Sequence, residues 1–232
     1  MDQDARLVIF QAQVKNVRSL KSALRQIRRS INASLRGKDQ PAVDTLTKTY
    51  ALLFCAWAEA NFSKVVHTPY GFDLDEIGQV QAAKAAGIVA AWKKCVELGL
   101  RHLNAERGSF QPNARRKLER AIDDHVLDPS ELRNKLAHGQ WVIALNRNND
   151  AIQKEMSLRI ERLDLVKIDS WIAGHDVLAQ LVEQLIESPQ RAFVRDWYRY
   201  VVDLEQKILA AKARTLRDHV IKLLRKPAQR VG

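Results

Sequence analysis

The chain has 232 residues, a length that suits one large domain or two small ones. Apolar residues make up 46% and charged residues 28% of it, which excludes a disordered chain, and nine Gly and six Pro are too few for the turns of an all-β fold. Lys and Arg outnumber Asp and Glu by 38 to 27, so the formal net charge is +11.

The sequence also argues against membrane and secreted proteins. Its longest uncharged apolar run, residues 49–58, is about half as long as a bilayer crossing requires. The first four residues include two Asp and no apolar segment follows them, so no secretory signal is predicted. Cys55 and Cys95 lie in apolar helical stretches without Cys-x-x-Cys spacing and are predicted to be buried, reduced thiols. Together these features predict a cytoplasmic protein without a membrane partner.

Positive charge is concentrated at the two ends of the chain. Residues 1–38 carry nine Lys or Arg and two Asp, and residues 206–232 carry eight Lys or Arg and one Asp, which leaves the middle slightly acidic. Basic segments attract polyanions, because each phosphate contact releases condensed counterions. The alternative is that these side chains only solvate the outer faces of terminal helices. The presence of two basic ends favours nucleic acid as the partner.

Apolar residues recur every three or four positions along the first half of the chain, which is typical of helices with one buried face. This spacing predicts helices over residues 5–35, 41–67, 74–104 and 112–126, with a loop at 105–111. Pro41 fits the first turn of the second helix. Asp73 and Glu76 form the capping-box pattern that opens the third.

The clearest helix start is the sequence Asp128-Pro129-Ser130-Glu131, in which Asp128 can cap, Pro129 suits the first turn and Glu131 stands at the capping-box position. Gly139 is predicted to end this helix after His138, because glycine favours the left-handed conformation found just beyond a helix. These two signals together predict a short helix from Asp128 to His138.

Beyond Gly139 the apolar period changes. An apolar stretch, a polar turn and a partly alternating stretch predict a short β-hairpin or an irregular arm, over residues 141–145, 146–150 and 152–163. Two more helices are predicted, over residues 168–187 and 189–226, before a disordered tail at 227–232. The sequence therefore predicts a single all-α domain, residues 1–226, with long basic helices at both ends.

The same short helix also carries the best candidates for catalytic residues. Leu132 and Leu136 are four apart and are predicted to face the core, while Asn134 and His138 share another face. Arg133 lies about 140° around an ideal helix from His138, within reach of a phosphate bound near that face. Imidazole suits general acid–base work, and an arginine stabilises a phosphorane. These are the groups needed to cleave RNA without a metal.

The motif Arg133-Asn134-x-x-x-His138 resembles the Arg-x4–6-His motif of the HEPN superfamily, which places a polar residue after its Arg. The stretch Leu-Arg-Asn-Lys-Leu-Ala-His-Gly is similar to that motif over eight residues, and the helical pattern of residues 41–187 is similar to a HEPN bundle. The basic helices outside this core look like additions. The resemblance implies a metal-independent endoribonuclease without a cofactor, leaving 2′,3′-cyclic phosphate and 5′-hydroxyl ends. It also implies a homodimer, whose two motif helices meet to form one composite cleft.

Roles follow from the resemblance residue by residue. Arg133 would stabilise phosphate charge, His138 would act as acid and base, and Asn134 would support them. Some HEPN nucleases have an acidic residue on an earlier helix facing the motif, a role that Glu59 or Lys64 would take; the alternative is a solvated helix face.

Lys135 and the basic residues of the first helix, Arg25, Arg28 and Arg29, are predicted to bind RNA. Similar bacterial proteins act in phage defence and toxin–antitoxin systems, which implies an antitoxin or regulatory partner.

Two other functions fit the same sequence. One is a HEPN-like module that binds a nucleotide, nucleic acid or protein without cleaving. The other is a helical protein whose basic ends alone bind nucleic acid. No metal site is predicted, because the remaining histidines lack the spacing of a metal-binding set; they are His67, His102, His125, His175 and His219.

Overall fold

The computed structural model describes residues 3–103 and 109–225. Over these ranges the protein is α-helical and has no β-strand, which confirms the all-α prediction. The α-helices are α1 (Gln3–Gly37), α2 (Gln40–Val66), α3 (Leu74–Lys84), α4 (Ile88–Arg101), α5 (Phe110–Ile122), α6 (Asp128–Ala137), α7 (Lys154–Glu161), α8 (Leu165–Glu187), α9 (Val194–Ala213) and α10 (Leu216–Arg225). The predicted tail, residues 227–232, and most of the predicted loop lie outside the described residues.

Two long helices of the prediction are each divided. The third breaks into α3 and α4 at Gly87, whose φ of 116° only glycine adopts readily. The last breaks into α9 and α10 at residues 214–215. Glycine inside a helical pattern costs only about 1 kcal/mol, so the pattern alone did not reveal the break at Gly87.

Helix α6 begins at Asp128, near the predicted start, but the predicted capping role of Asp128 is wrong. A π-helical turn, Asp123–Leu127, joins α5 to α6 without a break, and Asp128 itself has helical backbone angles of −53° and −48°. Its carboxylate instead pairs with Arg159 at 2.6 Å and accepts a hydrogen bond from the indole of Trp171 at 3.1 Å. Asp128 therefore fastens α6 to α7 and α8 rather than capping a helix.

The predicted β-hairpin is reduced to a single antiparallel bridge between Leu145 and Ile152, and α7 replaces its second strand. Side chains accept hydrogen bonds from backbone N–H groups that a longer β-ladder would use. The N–H of Ala144 donates to Ser157 Oγ at 2.9 Å, and the N–H of Leu145 donates to Gln140 Oε1 at 2.8 Å. The segment is therefore an irregular arm folded against the end of α6.

Helix α8 is the centre of the packing, because its two halves belong to two different apolar clusters. One cluster joins the second halves of α2 and α8 with α3, α4, α5 and α9. The other joins α1, the first halves of α2 and α8, α6 and α7. Leu132 and Leu136 are buried in this second cluster, as their spacing predicted. The opposite face of α6 is therefore exposed to solvent.

Ion pairs attach α1 to α8 across the second cluster. Lys21 lies 2.8 Å from Asp176, and Arg28 lies 2.9 Å from Asp169. Part of the positive charge of α1 is therefore used inside the fold. None of the described helices is long and apolar enough to cross a membrane.

Candidate functional site

Backbone hydrogen bonds at a glycine fix the C-terminal end of α6. Gly139 has a φ of 77°, its N–H donates to the Leu136 carbonyl at 3.1 Å, and the N–H of Gln140 donates to the Lys135 carbonyl at 3.0 Å. This is the Schellman arrangement that glycine permits, so the predicted helix end is confirmed. The indole of Trp141 adds a hydrogen bond to the Leu136 carbonyl at 2.9 Å. His138 is therefore held at a fixed point on the surface.

The three predicted motif residues are exposed. The imidazole of His138 has no hydrogen-bond or ion-pair partner among the described residues. Arg133 donates from Nη1 to Asn134 Oδ1 at 3.3 Å, so these two side chains lie together. All three are accessible to a large ligand such as RNA.

Glu59, on α2, lies opposite the motif. Its Oε1 is 3.5 Å from Arg133 Nη2, and the side chains are 41% and 43% exposed. Exposed pairs of this kind contribute about 0–1 kcal/mol, so a phosphate can compete for the arginine. Lys64, the alternative to Glu59, lies elsewhere and pairs with Glu183 at 2.8 Å.

A cleft of about 440 Å³ opens between α2, the α3–α4 turn, the π-helical turn and α6. Arg133, Asn134 and Glu59 line it, whereas His138 does not. The structure therefore brings three of the four predicted catalytic residues into one cleft and leaves the fourth on the adjoining surface.

The floor of the cleft holds two histidines that were not predicted as site residues. His125 is 5% exposed and His175 is 1% exposed. The ring of His175 lies 5.2 Å from Trp57, 5.5 Å from Trp92 and 6.0 Å from Phe54, between ring centroids. One sequence signal was available: His175 is four residues after Trp171 and three before Leu178, on the buried stripe of α8.

Gly174 makes room for this pair. A methyl group added at Gly174 would overlap the ring of His125, so the π-helical turn approaches α8 closely only because residue 174 has no side chain. The contact joins the two histidines, which are fifty residues apart in sequence, in one buried cluster.

Burial holds the cluster in its neutral form. It lowers the pKa of His175 to about 3, with a smaller contribution from the neighbouring His125. The backbone of Ala58 acts in the opposite direction and raises the pKa of His175, although it forms no hydrogen bond with the ring. Burial likewise lowers the pKa of His125 and raises the pKa of the Cys55 thiol to about 12. Both cysteines are free and buried, as predicted, and the protonated thiol of Cys55 is a poor nucleophile.

The low pKa of His175 makes stability depend on pH. Because an unfolded histidine has a pKa of 6.5, the unfolded chain binds a proton between pH 6.5 and about 3 that the folded chain excludes. We expect this group to lower the free energy of unfolding by about 1.4 kcal/mol for each pH unit below 6.5. Urea unfolding of the wild type and His175→Phe at several pH values measures the difference, with His102→Phe as an exposed control. Parallel pH profiles for the wild type and His175→Phe would contradict it.

The predicted RNA-binding residues fall into two groups. Arg25 and Arg29 are exposed and have no side-chain partner among the residues described. Arg28 instead holds Asp169 through both Nε and Nη2 at 2.9–3.0 Å, and Lys135 donates to the Leu145 carbonyl. Of the residues predicted to bind RNA, Arg25 and Arg29 are therefore unpaired in the described structure, while Arg28 and Lys135 have structural contacts.

Within the described part of the chain, no three His, Cys, Asp or Glu side chains lie close enough together to hold a metal ion. The chain matches no protein-family model, no curated protein and no solved structure. The HEPN resemblance therefore stays a prediction that rests on the motif of α6.

Proposed function

We propose that the protein is a metal-independent endoribonuclease of the HEPN type. The observation that supports this best is the presentation of Arg133 in the cleft and of His138 at the defined, exposed end of the same helix. The fold places both side chains outside the core, where they have no packing role. This arrangement gives a phosphate-binding cation and a free imidazole on one short rigid element.

In the proposed reaction, His138 removes the proton from a ribose 2′-hydroxyl, and the 2′-oxygen attacks the adjacent phosphorus. Arg133 stabilises the negative charge that develops on the phosphate oxygens. The bond from phosphorus to the 5′-oxygen then breaks, and an acid protonates the leaving oxygen. The products are a 2′,3′-cyclic phosphate and a 5′-hydroxyl. Glu59 and Asn134 position Arg133 at the cleft until a phosphate displaces Glu59.

A second copy of the chain supplies the acid in this proposal. The motif supplies one histidine per chain, and the reaction needs two proton transfers, so the second histidine comes from another copy. The arm that follows His138 exposes a groove of apolar side chains, including Val142, Ile143 and Ile152 at 73%, 51% and 59% exposure. Exposed apolar surface of this kind marks interfaces. Pairing across this groove would bring two motif helices together around one composite site.

A non-catalytic binding module is the second candidate. It is favoured by the ion pair between Glu59 and Arg133, which neutralises the arginine, and by the position of His138 outside the cleft. Such a protein would hold RNA, a nucleotide or another protein without turnover. The biological setting we propose for the nuclease, phage defence or a toxin–antitoxin system with an antitoxin partner, rests on the resemblance alone.

The experiment that separates the two candidates is incubation of the purified protein with single-stranded RNA in excess EDTA. We expect cleavage, with products that carry 2′,3′-cyclic phosphate and 5′-hydroxyl ends. Binding without cleavage would support the non-catalytic module. Cleavage that stops in EDTA and returns with magnesium would contradict the proposed mechanism.

The basic face of α1 is expected to contribute affinity rather than chemistry. Replacing Arg25 and Arg29 with Gln should weaken RNA binding and flatten its dependence on salt, with little change in rate at saturating RNA. Binding titrations across salt concentrations measure both effects. Arg28→Gln is the informative contrast, because it also breaks the contacts to Asp169 and should lower stability. A large fall in the saturated rate for the Arg25/Arg29 variant would contradict the prediction.

A further inference from the structure

Three polar groups that line the cleft have no hydrogen-bond partner within the described structure: the imidazoles of His125 and His175 and the indole N–H of Trp92. The indole N–H of Trp57, whose ring packs 5.2 Å from that of His175, is also unpaired there. Each neutral imidazole offers one donor and one acceptor, and each indole offers one donor. Buried polar groups in folded proteins are nearly always paired. Several unpaired groups in one cluster therefore point to a ligand that supplies the missing partners.

The cleft has the size and lining of a small-molecule site. Its volume of about 440 Å³ lies in the range of roughly 300–1,000 Å³ that is usual for ligand pockets. His125, His175 and Trp92 contribute to its lining at the bottom, and Arg133 and Lys84 contribute at the rim. The ammonium group of Lys84 has no side-chain partner in the part of the chain that is described. The cleft thus combines an aromatic floor with cations at its mouth.

We propose that this cleft binds one unpaired base of single-stranded RNA, with the base at the histidine floor and its phosphate at Arg133. This inference rests on the proposed ribonuclease function and names the form of RNA that the site accepts. A nucleobase is planar, has apolar faces and carries donors and acceptors on its edges, which matches the neutral imidazoles and indoles. A paired base in a duplex keeps those edges occupied, so double-stranded RNA is excluded.

Other ligand classes fit the floor less well. A metal ion would find two imidazoles but no third His, Cys, Asp or Glu among the described residues, and an indole N–H cannot bind a cation. An inorganic anion would leave the imidazole acceptors unpaired. The low pKa of His175 keeps its ring neutral near pH 7, with both a donor and an acceptor available.

The ring nitrogens must move to reach a ligand in the cleft. They are almost fully shielded from solvent in the structure. A half-turn of an imidazole about its Cβ–Cγ bond exchanges its nitrogens with its ring carbons and hardly changes its shape. Ring rotation is therefore the smallest movement by which these side chains can turn a nitrogen toward a bound base.

The test uses free nucleosides with the full-length protein, so that it does not depend on RNA cleavage. Calorimetry would measure binding of adenosine, guanosine, cytidine and uridine, with ribose as the sugar-only control. At least one nucleoside should bind, ribose should not, and His175→Phe should weaken nucleoside binding by about tenfold or more while the variant stays folded. Phenylalanine keeps an aromatic ring and removes the unpaired nitrogens, and a melting curve of His175→Phe checks that the larger ring is accommodated.

Three further variants separate base binding from phosphate binding and from non-specific effects. His125→Phe should weaken nucleoside binding as His175→Phe does, and His102→Phe, which changes an exposed histidine outside the cleft, should leave it unchanged. Arg133→Ala should weaken binding of nucleoside monophosphates but not of nucleosides. Nucleosides that bind no better than ribose, or that bind equally well to His175→Phe and His125→Phe, would overturn the base pocket. Nucleoside binding by a protein that never cleaves RNA would support the pocket and contradict the nuclease.

Discussion

Replacement of His138 by alanine is expected to reduce RNA cleavage by about a hundredfold or more, the usual effect of removing a general acid–base group. The melting temperature should hardly change, because the side chain is exposed and makes no hydrogen bond with the described residues. RNA binding should be retained, since Arg25 and Arg29, which are unpaired among the described residues, and the exposed Arg133 are untouched. Initial rates at saturating RNA, together with a melting curve, measure these effects.

His102→Ala is a matched control for this variant. His102 and His138 each cap the C-terminal end of a helix and each is exposed. Their backbone positions are therefore comparable, while only His138 follows Arg133 in the motif. Equal activity of His138→Ala and the wild type would remove His138 from the mechanism. Equal loss in both variants would mean that helix ends, and not the motif, were responsible.

A mixed dimer of one wild-type chain and one chain carrying both Arg133→Ala and His138→Ala is expected to lose far more than half of its activity. If the two motif helices form a single composite cleft, disabling either contributor disables the only site. If each chain instead has its own independent site, half of the activity remains. Chains with different affinity tags allow the mixed dimer to be purified and its rate compared with both homodimers.

A second mixed dimer tests whether both histidines are required. One chain carries Arg133→Ala and the other His138→Ala, so the shared cleft keeps one of each residue. If acid and base are both histidines, this dimer is as inactive as the His138→Ala homodimer. Partial activity would assign one proton transfer to water, and a protein that is monomeric and fully active would contradict the composite site.

Much of the helical fold was predictable, because apolar spacing reports directly which face of a helix is buried. The end of α6 was predictable for a local reason, since Gly139 permits the backbone angle that terminates it. The role of Asp128 at the start of α6 was not predictable. Asp128 has a strong capping signal, but the π-helical turn carries the helix through it, and tertiary contacts to Arg159 and Trp171 use its carboxylate.

The candidate site was predictable only where its residues are close in sequence. Arg133, Asn134 and His138 were found from their spacing on one helix. The sequence left Glu59 and Lys64 as alternatives, and only the packing of α2 against α6 places Glu59 beside Arg133. The buried pair of His125 and His175 was missed, because it depends on close approach at Gly174 between elements far apart in the chain.

Cleavage of an RNA oligonucleotide with one 2′-deoxy substitution tests the proposed chemistry most directly. The 2′-hydroxyl is the nucleophile in the proposed reaction, so its removal at the cleaved linkage should abolish cleavage there. Neighbouring linkages that keep their 2′-hydroxyl should still be cut, which provides an internal control. Continued cleavage at the substituted linkage would mean that water attacks the phosphorus, and it would contradict the role proposed for Arg133 and His138.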